Sequence, residues 1–84
     1  MEPGDFKTGM VIEMKPGYYT KKPYYVLIKS VSKTGIVTTI PTKHDLELDK
    51  INDTATWNHQ TARMKIIGNQ ETHGHLLYNQ RLKS

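Results

Sequence analysis

The 84-residue chain has no cysteine, one tryptophan and one phenylalanine. Without cysteine, neither a disulfide nor a thiolate metal site can staple so short a chain, and its stability must come from packing alone. Long hydrophobic runs are also missing. The longest, Tyr24 to Ile28, is far too short to cross a bilayer as a helix, which excludes a helical membrane span. Negative charge is scarce over the first half, where Lys7 to Lys43 holds seven lysines against Glu13 alone. The opening Met1-Glu2-Pro3-Gly4-Asp5 is acidic and polar, unlike a secretory signal. These absences predict a cytoplasmic protein with no membrane partner. The length predicts one domain over 1–84, with a core in 6–68 and a tail in 69–84.

What is present is an uneven distribution of charge. The net charge is +4. The lysine-rich first half is followed by an acidic stretch, with Asp45, Glu47, Asp49 and Asp53 against Lys50, and basic character returns from Arg63. Such a half predicts a polyanion partner. Lysines that only keep a small β protein soluble and blunt its sheet edges would leave the same trace.

Five strand candidates follow from two-residue alternation and turn residues. Met10 to Lys15 places Met10, Ile12 and Met14 on one face, and Lys15-Pro16-Gly17 ends it. Tyr24 to Val31 is apolar on both faces until Lys29, as a central strand requires. Ser32-Lys33-Thr34-Gly35 reads as a hairpin turn in which Gly35 is free to take positive φ. Gly35 to Ile40 follows and stops at Pro41, which has no N–H for a ladder. Asp45 to Ile51 fits either a strand with Leu46 and Leu48 inward or a helical turn. Arg63 to Ile67 is a further strand, closed by Gly68-Asn69. The tail Glu71 to Lys83, with Leu76, Leu77 and Leu82, predicts a short helix made marginal by Gly74 and a lone basic end. The expectation is an all-β fold: a small barrel of about five strands with a short C-terminal helix in the tail.

Several groupings could carry chemistry. Lys15-Pro16-Gly17-Tyr18-Tyr19-Thr20-Lys21-Lys22-Pro23-Tyr24-Tyr25 mixes rings and cations, which suits a single nucleic-acid strand: bases stack on rings while ammonium groups follow phosphates. A turn whose tyrosines pack back on the barrel has the same composition. Thr42, with Lys43 and His44 beside it, places a hydroxyl among cations just past a strand end, where it could contact a phosphate or a cleavage transition state. His73-x-His75 lacks completing ligands, so no metal site is assigned. Asp45-x-Glu47-x-Asp49 is not a calcium loop, since Lys50 stands where glycine is needed and Thr56 where glutamate is needed. Trp57, in the polar run Trp57 to Arg63, is compatible with a core anchor or an exposed platform.

Taken in order, these segments resemble the MazF/PemK-like family, SH3-like barrel toxins that cleave single-stranded RNA. The resemblance runs through Gly9-Met10-Val11-Ile12, Lys22-Pro23-Tyr24-Tyr25-Val26-Leu27-Ile28, Gly35 to Thr42, and Gln60-Thr61-Ala62-Arg63-Met64-Lys65, covering roughly residues 4 to 68. It implies an SH3-like barrel, a single-stranded RNA partner and a homodimer; the charge of the basic half leaves DNA open as the other nucleic acid. The family's catalytic arginine precedes the proline, where this chain has Lys22; its hydroxyl partner maps to Thr42. Lysine keeps the charge but loses the planar fork that grips a phosphate, so endoribonuclease activity is left open. The segment Gly4 to Glu13 also resembles the opening strand of the elongation factor P barrel, which implies the same architecture with different chemistry. The expected nucleic-acid contacts are Lys15, Tyr18, Tyr19, Lys21, Lys22, Lys43, Arg63 and Lys65, and the expected catalytic pair is Thr42 and Lys22, with no cofactor. A protein-interaction module, or a small effector acting on a partner protein, is the rival reading.

Overall fold

A computed structural model describes residues 2–16, 21–40 and 44–80. Five strands form one antiparallel sheet: β1 (Met10–Met14), β2 (Tyr24–Val31), β3 (Gly35–Ile40), β4 (His44–Asp49) and β5 (Met64–Asn69), in the order β4-β3-β2-β1-β5. β2 is central, which accounts for its apolar residues on both faces. The chain walks across the sheet by consecutive antiparallel pairings from β1 to β4, then returns β5 to the free side of β1.

Even-numbered strand residues build the main core. Ile12, Met14, Val26, Ile28, Ile36, Leu48 and Met64 are buried with Phe6 and Trp57. Each large apolar side chain removed from water contributes roughly 1.5–3 kcal/mol. The opposite face is not left to solvent over β1. Val11 is fully buried there, because helix α2 (Gln70–Asn79) packs across β5, β2 and β1 and buries Leu77 and Gly74. The sheet is therefore covered on both sides over its β5-β1-β2 half.

The all-β expectation is correct for the sheet and incomplete for the rest. The run Thr54–Thr61, to which the sequence pattern assigned no element, is helix α1. Its composition is poor for a helix. It forms because the Asp53 carboxylate accepts the Thr56 N–H at 3.0 Å, capping the N-terminus, and because Trp57 and Thr61, one turn apart, both point inward. The Thr61 hydroxyl donates back to the Trp57 carbonyl at 2.9 Å. Trp57 is a core anchor with no exposed surface, set edge-on to Phe6 with ring centroids 6.0 Å apart. The tail helix is also real. Asn69 accepts the Thr72 N–H as its cap, and Gly74, read from sequence as weakening the helix, is buried within α2.

Two irregularities curve the sheet. The β1–β5 register skips between Val11 and Ile12, and the β2–β3 register skips between Ile28 and Ser30. Bulges of this kind bend the strand and sharpen its twist. Gly35 departs from its expected role. The positive-φ glycine among the described residues is Gly9, at φ 92°. Gly35 is required for a different reason: a Cβ there would sit 1.9 Å from the Leu48 carbonyl oxygen across the β3–β4 ladder. Among the described residues no helix is long and apolar enough to cross a membrane.

Candidate nucleic-acid interface

The antiparallel walk gathers distant segments at one end of the sheet. Met14 pairs with Tyr24 on one side and with Met64 on the other. Ile40 pairs with His44 at that same end. The end of β1 and the starts of β2 and β5 thus lie side by side, spaced by the usual ~4.8 Å between strands. Directly beyond them come Lys15, Pro23 and Arg63, and Lys22 and Lys21 precede Pro23 in the chain. No acidic residue occurs in 14–16, 21–24, 40–44 or 62–65, while Glu13 and Asp45 directly flank two of these stretches.

Arg63 and Lys15 are locked together. The Lys15 N–H donates to the Arg63 carbonyl at 2.9 Å, and the Arg63 Nη2 donates back to the Lys15 carbonyl at 2.9 Å. Arg63 is half-buried; Lys15, Lys21 and Lys22 are exposed. The guanidinium has five N–H donors, so one bond to a carbonyl leaves the others for an anion. Lys65 is not part of this row. It lies one residue further into β5, exposed, with Glu13 as its register partner across β1. The Glu13 carboxylate also accepts from the Tyr25 hydroxyl at 3.5 Å.

The tyrosines of β2 divide between the two faces. Tyr24 is on the core side, where it packs against the cluster; Tyr25 is on the α2 side. Both belong to the strand, as the sequence predicts. Tyr18, Tyr19, Thr42 and Lys43, the remaining predicted contacts, lie outside the described residues.

Other carboxylates are engaged by partners of their own. Asp45 pairs with Lys29 at 2.6 Å, an exposed ion pair that contributes little stability. Lys50 pairs with Glu2. Asp49 and Asp53 bracket the turn into α1 at the opposite end of the sheet. Hydrogen bonds from the Asn52 backbone, the Asn52 amide and the Ile51 backbone hold the Asp49 carboxyl below the ordinary carboxylate range; the Thr56 hydroxyl and N–H do the same for Asp53. No group of three or more metal-ligating side chains occurs among the described residues.

A feature that sequence reasoning missed lies just inside the cationic row. Gln60, from the last turn of α1, joins Met14, Tyr24, Ile40 and Met64 around a cavity of about 80 Å³. The only sequence signal for it was that each of these strand residues precedes or follows a cation or a proline. Comparison with protein-family profiles, with curated proteins and with solved structures finds no match to this chain.

Proposed function

We propose that the protein binds single-stranded RNA along the end of the sheet that carries Lys15, Lys21, Lys22 and Arg63, on an SH3-like barrel of the MazF/PemK kind. The observation that supports this best is the placement of Lys15 and Arg63 at the neighbouring ends of β1 and β5, with Lys22 two residues before the start of β2 on the other side of β1, a cationic group across strand ends spaced by ~4.8 Å; Glu13, two residues from Lys15, is set opposite Lys65. A group of this kind suits a flexible polyanion better than a rigid duplex, because a single strand can follow its short span. The barrel reading is supported by the return of β5 beside β1 and by the two bulges, which coil the sheet toward closure. Lys22 in place of arginine favours binding over cleavage, because a point charge grips a phosphate without the bidentate geometry a transition state needs.

The test is binding of a fluorescent single-stranded RNA over a salt series, with duplex DNA alongside and the RNA inspected for cleavage afterwards. The expected outcome is salt-dependent binding of the single strand. Lys22→Ala should flatten the slope of log K against log salt by about 0.7, the value for one phosphate contact on a single strand. An unaltered slope, or no RNA affinity at physiological salt, overturns the proposal and favours a protein partner. Cleavage that disappears in Thr42→Ala would extend it to an endoribonuclease.

A further inference from the structure

The cavity beside the cationic row has an unusual lining for a gap in a hydrophobic core. Met14, Val26 and Met64 form apolar walls, and the half-buried Tyr24 closes one side. Gln60 lines it as well, half-buried, and its side-chain amide has no hydrogen-bond partner among the described residues. Of the other polar side chains that line it, Thr38 already donates to the Leu46 carbonyl at 3.4 Å, and Tyr24 carries a hydroxyl. An amide left without a partner beside an apolar cavity costs free energy unless something pairs with it.

At about 80 Å³ the cavity has room for two or three water molecules at ~30 Å³ each. That is well below the several hundred Å³ of a site for a whole small molecule. It matches the inserted edge of one flat ring rather than an entire nucleotide. An aliphatic ligand would leave the Gln60 amide unpaired. A base edge would not, because the amide offers one acceptor and a two-hydrogen donor side by side, the same pattern that reads a Watson–Crick edge. The methionine sulfurs and the tyrosine ring supply polarisable flanks for a ring face. Lys15 and Arg63 adjoin the lining residues Met14 and Met64, and Lys22 is two residues from Tyr24, so a strand whose phosphates follow these cations passes within one or two residues of the cavity lining.

We infer that this cavity receives the edge of a single pyrimidine base from the bound strand, with Gln60 reading it. The inference rests on the proposed RNA-binding function. A pyrimidine is favoured over a purine because about 80 Å³ leaves no space for the fused second ring of a purine behind the inserted edge. Gln60 pairs with uracil by accepting from N3–H and donating to a ring carbonyl, and with cytosine by donating to N3 and accepting from the amino group.

The experiment uses the full chain and four fluorescent ten-unit probes: oligouridine, oligocytidine, oligoadenosine and an abasic ribose-phosphate strand. Both pyrimidine strands should bind about tenfold more tightly than oligoadenosine, within the range for one held base. Gln60→Leu should bring them down to the abasic level. Gln60→Glu, which only accepts, should favour cytidine over uridine. Lys22→Ala should weaken all four probes together, and a thermal melt of each variant establishes that it is folded. Equal affinity for all probes, or a pyrimidine preference that survives Gln60→Leu, overturns the cavity inference and leaves RNA binding standing. Failure of every probe to bind overturns both.

Discussion

Arg63 and Lys15, 48 residues apart, exchange two hydrogen bonds at the open end of the β1–β5 ladder, one between backbones and one from the guanidinium to a carbonyl. The second bond gives Arg63 two duties, fixing a strand end and presenting positive charge. These duties separate by mutation. Arg63→Lys keeps the charge and shortens the reach to the Lys15 carbonyl, so urea unfolding should show a loss of about 1 kcal/mol while the salt slope of RNA binding is retained. Arg63→Ala should lose both. A lysine variant as stable as the parent would remove the structural duty.

A second clamp joins the end of α2 to the centre of the sheet. The Gln80 amide accepts the Tyr25 N–H at 2.7 Å and donates to the Tyr25 carbonyl at 2.8 Å. The β2–β3 ladder has ended by this point, at Leu27↔Thr39, and a side chain takes the place of a neighbouring strand. Gln80→Ala leaves both backbone groups without that partner, at a cost of about 1–3 kcal/mol. Hydrogen exchange at the Tyr25 amide should accelerate in this variant more than at Ile28. Equal protection in parent and variant would show that the clamp does not persist in solution.

Much of the sheet could be read from the chain. Met10–Met14, Tyr24–Val31 and Gly35–Ile40 coincide with the expected strands to within one residue, because one buried face imposes strict alternation and Pro41 and Gly35 mark the ends. α1 was hidden, since its only inward residues are Trp57 and Thr61, too few to show a helical period in a polar run. Gly74 misled for a related reason: a glycine weakens an isolated helix, but the packing of α2 on β5, β2 and β1 holds this one. The site was legible in its residue types but not in its assembly. Lys15 and Lys22 are near in sequence, whereas their adjacency to Arg63 depends on β5 returning beside β1, a topological fact no local pattern carries. The Gln60 cavity needed both that topology and the unpredicted helix.

Acid should loosen the turn that leads into α1. Asp49 and Asp53 are held below their ordinary value of 3.8 by hydrogen bonds that only the carboxylate can accept in full. A carboxyl lowered on folding stabilises the native state above its unfolded value. That contribution fades as pH falls from near 3.8 through the lower folded value. Stability measured by urea unfolding should therefore be level from neutral pH down to about 5, then decline. Asp53→Asn retains an acceptor for the Thr56 N–H and should flatten part of the decline. A profile in Asp53→Asn identical to the parent's would show that this cap does not titrate with folding.

Two glycines should fail for different reasons. Gly9 sits at φ 92°, with its N–H donating to the Ile28 carbonyl at 2.9 Å and its carbonyl accepting from Gln70 at 2.8 Å. No atom would obstruct a Cβ there, so Gly9→Ala should cost only the backbone term, about 1–2 kcal/mol. Gly35→Ala meets the Leu48 carbonyl and cannot be relieved by a side-chain rotation. It should cost more and should perturb amide shifts in both β3 and β4. Equal losses, with shifts confined to residue 35, would contradict the close approach of the two strands.

The sole tryptophan offers the most direct check on α1. Trp57 is fully buried against Phe6, with its ring planes at 89°. Native emission should be blue-shifted and should move to longer wavelength on unfolding, with a midpoint matching the loss of sheet signal by circular dichroism. Trp57→Ala removes the largest core side chain, at about 3–5 kcal/mol. Domains of this size have a total stability of roughly 4–13 kcal/mol, so the variant should be largely unfolded at room temperature or melt far below the parent. Trp57→Phe keeps a ring against Phe6 and should retain most of the stability. A double-mutant cycle with Phe6→Leu should then expose an edge-to-face coupling of about 0.5–1.5 kcal/mol. Native emission typical of a water-exposed indole would mean that α1 does not dock on the sheet. It would remove Gln60 from the cavity at the same stroke, while leaving the cationic group across the strand ends intact.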